Sequence, residues 1–505
     1  MIDTPSKDAP AASGPVVFSL VNNAVLHDVR VMKEAYGLAE AGYRVRLFGR
    51  LLPDAPDRFE QDGMPVWRFA CFDSLPTLSP EAEREALAQF GPVAGLLTRK
   101  LAALREVQAA RRADQADYEL RVEAVRNNAD RAIRAALNAE KETARLAYVA
   151  SLEREREVYR EESFFLNYFF YAAHFLSLPF DERPDVIHAH DLHPLAGAVG
   201  LARKTGARVV FDAHEIETER APPLSPDRKA FIDAMERHLL AQVDHIIVCC
   251  ESAADFYHKR YKGQRPTVVM NAPRKGEGRG KKAPDVRKLA GLSADTRLVV
   301  YTGGVGLEPR GVDKIVRAVA LLPEVHMVIV GPRKDSHDDW LRGVIAETGA
   351  GDRIHMLDPV PSEALVATIG SGDVGVCAFQ DVTLNHRYAL PNKVFEMAFA
   401  GLPLVVPNFP DMGRFVTGLE IGLTMDERDP VSIAGALRRV LFEPWRYRPD
   451  GEKMKRLTAL YAWPVQNARF VEAYAAMLAA PRRQTVPAAS GGWLGGLWRR
   501  LSGAA

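Results

Sequence analysis

Two doubly wound α/β domains are predicted for this chain, and three observations predict them. Short apolar runs alternate with segments of helical periodicity through two separate stretches. A linker rich in Gly, Pro and Lys, NAPRKGEGRGKKAPD (271–285), separates the stretches. The length, 505 residues, exceeds the ~250–300 residues at which a single core stops growing. In open sheets of this kind ligands sit beyond the carboxyl ends of the strands, so the residues there carry the functional argument.

The first stretch opens with PVVFSLV, a strand. HDVRVMKEAYGLAEAG follows with Val31, Ala35, Leu38 and Ala39 on one helical face, and Gly42 ends it. YRVRLFG is the next strand, which makes a β-α-β unit with a right-handed crossover. Residues 79–163 change character: they are rich in Ala, Arg and Glu, and start at Ser79 before Pro80. Apolar residues recur at steps of three or four, as at Leu101, Leu104 and Val107, or Tyr118, Val122 and Val125. The run ARRADQAD breaks the heptad, leaving a helical hairpin and one coiled coil both open. This stretch is read as a long helical insertion projecting from a first domain made of 14–78 and 164–275.

FFLNYFFYAAHFLSLPF (164–180) is interrupted by Asn167, His174 and Pro179, and reads as a core helix rather than a membrane span. DVIHAHD, ARVVFDAHE and HIIVCC are further strands. Beyond the linker, a second domain (286–425) has the strands RLVVYTGG, HMVIVGP, RIHML, DVGVCAF and LPLVVPN. Residues 426–480 are helical, with the last helix expected to cross back to the first domain, and 481–505 form a flexible tail.

Composition narrows the function. Hydrophobic residues at 47% and charged residues at 26% are ordinary for a globular protein. Lys+Arg 66 against Asp+Glu 65 leaves no global basic field for nucleic acid. Cys71, Cys249, Cys250 and Cys377 are too scattered for a disulfide framework or a CxxC metal site, so a reducing cytoplasmic compartment is expected. Residues 1–13 are polar, are read as disordered and lack the apolar core of a signal peptide.

Chemistry gathers at strand ends. In YALPNKVFEMAFAGLP, Pro391 suits a first helical turn and Gly401 an end. Asn392, Lys393 and Glu396 then form a polar strip on an otherwise apolar helix. Its N-terminus suits a nucleotide diphosphate, and a carboxylate one turn deeper suits a ribose diol. The bland alternative is a solvated edge with a local Lys–Glu contact. YTGGVGLEPRG supplies a Gly-rich loop at Gly303 and Gly304, and Arg310 can fork onto phosphate oxygens. In the first domain, DVIHAHDLHP carries His188, His190, Asp191 and His193, and FDAHEIETE carries His214 and Glu215. His-x-His puts both rings on one face of a strand and admits a metal, but substrate binding or strand capping is the preferred reading. The loop NNAVLHD places Asn22, Asn23 and His27 at the same strand ends, with Asp28 capping the next helix.

Taken together, DVIHAHDLHPLAGAVGLARKTGARVVFDAHE, YTGG…RGVDKIVRAVALLP…VIVG and YALPNKVFEMAFAGLPLVV resemble glycosyltransferase family 4. The resemblance spans roughly 14–75, 164–275 and 295–480. It implies a GT-B fold, with two Rossmann-like domains facing across a cleft. The second domain would bind a nucleotide-sugar donor through Gly303, Gly304, Arg310, Leu390, Pro391, Asn392, Lys393 and Glu396. The first would bind the acceptor through Asn22, Asn23, His27, His190, Asp191 and Glu215. His214, Glu396 and Arg310 match the residues that the resemblance places in catalysis. It further implies retention of configuration, no metal or other cofactor, and a glycan or lipid-linked acceptor in surface polysaccharide synthesis. Two departures fall on the donor side: Tyr388 stands where the first of two paired glutamates is expected, and Gly304 where an arginine is common.

Two other readings stand beside it. A nucleotide-sugar epimerase or hydrolase would share the donor site, and an inactive scaffold would act through 79–163, by self-association or partner docking. In the tail, Trp493, Leu494, Leu497 and Trp498 beside Arg499 and Arg500 suggest peripheral contact with the inner face of the cytoplasmic membrane; the alternative is a tail with no partner.

Overall fold

Every residue of the strands β1 (Val16–Leu20), β5 (Val186–His190) and β6 (Arg208–Ala213) is buried, as expected where helices cover both faces of a parallel sheet. They sit centrally in an eight-stranded sheet of order β3-β4-β2-β1-β5-β6-β7-β8, completed by β2 (Arg44–Arg50), β3 (Arg58–Gln61), β4 (Met64–Phe69), β7 (His245–Val248) and β8 (Thr267–Val268). A computed structural model describes residues 14–25, 28–52, 56–61, 63–69, 78–274, 283–306 and 308–482. The expectations for 1–13, His27, Cys71, most of the linker and the Trp-bearing tail therefore lie outside the described residues.

The helices of this part are α1 (Val29–Glu40), α2 (Pro80–Ala88), α3 (Ala94–Asn127), α4 (Arg131–Leu176), α5 (Leu192–Thr205), α6 (Pro226–Leu240) and α7 (Glu251–Tyr261). Asp28 caps α1 as expected, its side chain accepting from the Val31 N–H at 3.1 Å. The alternative left open for 79–163 resolves as a hairpin. The ion pairs Lys100–Glu162 and Arg111–Glu155 and the stacked rings of Tyr118 and Tyr148 run in opposite chain directions along α3 and α4. No break falls at residue 163: α4 is one helix of 46 residues. Its outer part pairs with α3, and its inner part, from Phe165 to Phe175, is buried in the core of the sheet's helical layer.

The second sheet is all parallel, in the order β11-β10-β9-β12-β13-β14. Its strands are β9 (Arg297–Thr302), β10 (Val325–Val330), β11 (Ile354–Leu357), β12 (Val374–Val376), β13 (Leu404–Pro407) and β14 (Gly422–Met425). The helices are α8 (Val286–Leu289), α9 (Val312–Ala320), α10 (Asp335–Thr348), α11 (Ser362–Ile369), α12 (Leu384–Tyr388), α13 (Asn392–Phe399), α14 (Pro410–Gly418), α15 (Pro430–Phe442), α16 (Pro444–Tyr447), α17 (Gly451–Tyr461) and α18 (Trp463–Ala479). Val299, Tyr301, Val316, Met327 and Leu437 are among the buried residues of its core.

By density of contacts, Asp212–Leu224 and His245–Pro481 form one compact unit, and the rest of the described chain forms the other. Among the described residues, no helix is long and apolar enough to cross a membrane.

Candidate active site

In the second unit, three chain segments meet at the carboxyl end of β9. The strand passes into Gly303, whose φ of +106° favours glycine. A Cβ there would lie 3.1 Å from the Lys393 Nζ. The loop closes at Gly311, with φ of +64°, where a Cβ would lie 2.0 Å from the Ala378 carbonyl oxygen, and α9 begins at Val312. The third segment is α13, which starts after Pro391 and ends before Gly401, as its sequence predicts.

The polar strip of α13 differs from expectation. Asn392 is exposed, Glu396 is half-buried and Lys393 is only 7% exposed. The narrow strip holds as angular spacing, but the surrounding packing gives its three members unequal access to water. The local Lys–Glu contact is not what Lys393 makes: its Nζ donates to the Tyr301 hydroxyl at 2.9 Å. The ammonium also lies 4.1 Å from the Tyr301 ring centre and 5.3 Å from that of Phe379. The Arg310 guanidinium lies 4.9 Å from the same Phe379 ring. Among the described side chains, no carboxylate pairs with Lys393 or Arg310. Burying a cation without a counter-charge is costly, which applies to Lys393 and not to Arg310, whose side chain is exposed.

Neighbouring groups register that positive field. Burial pushes the Cys377 thiol up, and the charges of Lys393 and Arg310 pull against it. Burial holds His386 below its ordinary range; its hydrogen bond to the Gln380 carbonyl opposes this, and the Arg310 charge adds to it.

Leu390 is buried. Tyr388 closes α12, a short helix absent from the sequence reading, and its carbonyl accepts from the Cys250 Sγ at 3.1 Å. Asn385 of α12 accepts from the Ile216 N–H at 3.0 Å, which ties this helix to the loop carrying His214 and Glu215. His214 is joined to the fully buried Asp212 by a 3.0 Å contact from Nε2 to Oδ2. A carboxylate there orients the imidazole and fixes its tautomer. Glu215 pairs with Arg220 at 3.1 Å.

In the first unit, Asn22 and Asn23 follow β1. The Asn23 side chain accepts from the Val25 N–H at 2.8 Å and donates to Asp28 at 2.7 Å, so it shapes the loop entering α1. His188 and His190 share a strand face as the spacing predicts, with ring centres 4.2 Å apart. His190 Nε2 lies 2.9 Å from the Ser19 hydroxyl. Asp191 takes a φ of +65° just before α5, a strained conformation for a non-glycine residue at a central strand end. Glu34 approaches His188 at 3.7 Å and His190 at 4.0 Å, and pairs with Arg30 at 3.0 Å. Glu34, His188 and His190 bring potential ligand atoms within 4.8 Å of one another, a geometry compatible with a metal ion. The Arg30 guanidinium already supplies a positive charge to Glu34 there.

Sequence reasoning missed Tyr301, Asp212 as the partner of His214, and the Arg30–Glu34 pair. The last had a local signal, four-residue spacing on one helix. Tyr301 had none, because its partner is 92 residues away.

The family description "Glycosyltransferase Family 4" matches residues 109–272, and "Glycosyl transferases group 1" matches residues 296–443, between them more than half of the chain. The first match begins inside α3, so it includes part of the helical hairpin. The chain is 25% identical over 312 residues to a glycogen synthase of Mycobacterium tuberculosis, covering 60% of this chain and 71% of that one. Its fold matches sucrose-phosphate synthase from Thermosynechococcus elongatus with a TM-score of 0.61 at 16% identity, over 92% of this chain and 100% of the other. It also matches Anabaena HepE, solved with UDP-glucose, with a TM-score of 0.56 at 12% identity, over 92% and 100% of the two chains. The fold is that of the GT-B glycosyltransferases. The chain is a nucleotide-sugar glycosyltransferase of the family 4-like, GT-B type.

Proposed function

We propose that this enzyme moves a sugar from a nucleotide diphosphate sugar to a glycan or lipid-linked acceptor, with retention of configuration and without a metal. One observation carries the reading: Lys393 and Arg310 flank Phe379 with no carboxylate partner among the described side chains. Cleaving the donor's glycosidic bond leaves negative charge on the departing diphosphate. Lys393 at the head of α13 and Arg310 before α9 would stabilise that charge where a metal ion does so elsewhere. Glu396, one turn along α13, would accept from the ribose hydroxyls. His214, held by Asp212, would orient the transferred sugar or the attacking hydroxyl. Asn22, His190 and Asp191 would face the acceptor. HepE is solved with UDP-glucose, which makes a uridine donor the first to try.

The reading places the enzyme in the cytoplasm, at the membrane's inner face if the Trp-bearing tail binds lipid. A tail deletion (485–505) that leaves vesicle binding unchanged would remove that part.

Incubation with nucleotide sugars is the direct test. Nucleotide release that requires an acceptor and survives EDTA is expected. Release without an acceptor would favour a hydrolase or epimerase, and no binding would favour a scaffold. Glu396→Ala is expected to weaken binding of the nucleoside diphosphate by roughly 10- to 100-fold, the loss of one or two hydrogen bonds to a charged group. Ligand-free melting should be unchanged; a comparable loss there would mark Glu396 as structural.

A further inference from the structure

We propose that Tyr301 is a positioning residue that aims Lys393 at the donor's diphosphate; the inference rests on the donor reading above. Tyr301 is the penultimate residue of β9 and is fully buried. Its hydroxyl makes two hydrogen bonds whose directions follow from chemistry. A lysine ammonium can only donate, so the phenol oxygen accepts from Lys393 Nζ at 2.9 Å. A carbonyl can only accept, so the phenol proton goes to the Gly304 oxygen at 3.1 Å. The relay Lys393 to Tyr301 to Gly304 joins the head of α13 to the glycine loop after β9.

That loop has no cation of its own between Gly303 and Glu308. The positive charge beside Gly303 comes from α13: a Cβ at Gly303, whose φ of +106° favours glycine, would crowd Nζ at 3.1 Å and Cε at 3.3 Å of Lys393. A lysine side chain has four rotatable carbons and gives up considerable rotamer freedom when held. One of its three N–H groups is spent on Tyr301, which anchors the ammonium. The other two remain for phosphate oxygens, since no further hydrogen-bond acceptor within the described residues contacts Nζ. A tyrosine kept only for packing would not need a hydroxyl bonded to both of these segments.

The test is a double-mutant cycle read by calorimetric titration. UDP, ADP, GDP, CDP and dTDP are titrated into the full chain, and the tightest binder is carried forward into Tyr301→Phe, Lys393→Met and the double variant. Phenylalanine keeps the ring and the core volume but removes both hydrogen bonds. Tyr301→Phe is expected to raise Kd by roughly 5- to 10-fold, within the range for one ordinary hydrogen bond, because the lysine charge stays and only its aim is lost. The double variant should bind no more weakly than Lys393→Met alone, because without the lysine there is nothing to aim. A structural role for the hydroxyl would add its effect in both backgrounds. Equal Kd for Tyr301→Phe and wild type, or additive losses, overturns this inference and leaves the donor reading standing. Failure of wild type to bind any of the five overturns both.

Discussion

A cation kept dry in the absence of ligand ought to cost stability, and Lys393 offers a way to measure it. It is 7% exposed, hydrogen-bonded once to Tyr301, and lies against two aromatic rings. Aromatic faces return part of the lost hydration but not a full counter-charge. Methionine has nearly the same volume and no charge. Lys393→Met is therefore expected to raise the ligand-free melting temperature, by on the order of 2–4 °C for a gain of about 1 kcal/mol. Nucleotide binding should fall in the same protein. Opposite signs for stability and binding mark a residue retained for function; a drop in ligand-free melting temperature would show that Lys393 holds the fold.

At the scale of elements, α4 does two jobs along one axis. Its inner half places Leu166, Tyr168, Phe169, Phe170, Tyr171 and Phe175 in the core, each no more than 1% exposed. Its outer half meets α3 through the stacked Tyr118 and Tyr148 and through ion pairs that run from the partly buried Arg111–Glu155 to the half-exposed Arg121–Glu140, and exposed pairs contribute only ~0–1 kcal/mol each. Leu120, Ile133 and Leu146 on the outer arm are more than half exposed. Replacing residues 108–156 with a short turn is expected to leave cooperative thermal unfolding within a few degrees of wild type. Phe170→Ala, by contrast, should destabilise by about 3–5 kcal/mol through the cavity it leaves. If the arm deletion unfolds the chain, the outer hairpin is part of the core after all. Loss of self-association in that deletion, read by sedimentation, would assign the arm to pairing.

At the scale of the whole molecule, burial sets a pH dependence. His238, His326, His355 and His386 are all held below the ordinary histidine range, with desolvation the largest cause in each. His326 and His355 also face one another, ring nitrogen to ring nitrogen, at 3.1 Å, so a proton on one opposes a proton on the other. With folded pKa values depressed, the unfolded chain binds more protons than the native one below about pH 6.5. Their contribution to stability is thus complete above that pH and is lost as pH falls through the folded values. Guanidinium midpoints should decline from pH 7.5 to 5.5; a flat or rising profile over that range would contradict the burial of these rings.

How far could the molecule be read from its residues alone? Signals that act within a few positions were reliable. Asp28 caps α1, Gly311 admits a turn that leads into α9, and Pro391 and Gly401 bracket α13, because helix ends are decided by local hydrogen bonds and allowed φ values. Long apolar runs bounded by glycine gave the buried parallel strands. The edge strands β3, β8 and β14, and β4 beside β3, escaped notice, although Asp62–Gly63 is a hairpin signal in the sequence between β3 and β4. Strands of two to six residues at a sheet margin carry too little pattern to stand out. What the residue order determined by itself was the alternation of elements and the nomination of Arg310, Lys393, Glu396 and His214. Only the tertiary structure decided which of these polar groups are dry, that Lys393 turns to Tyr301 and that Asp212 holds His214. Tyr301 and Lys393 meet because α13 follows β12, the strand that lies beside β9 in one parallel sheet, and no short-range pattern encodes a contact across 92 residues.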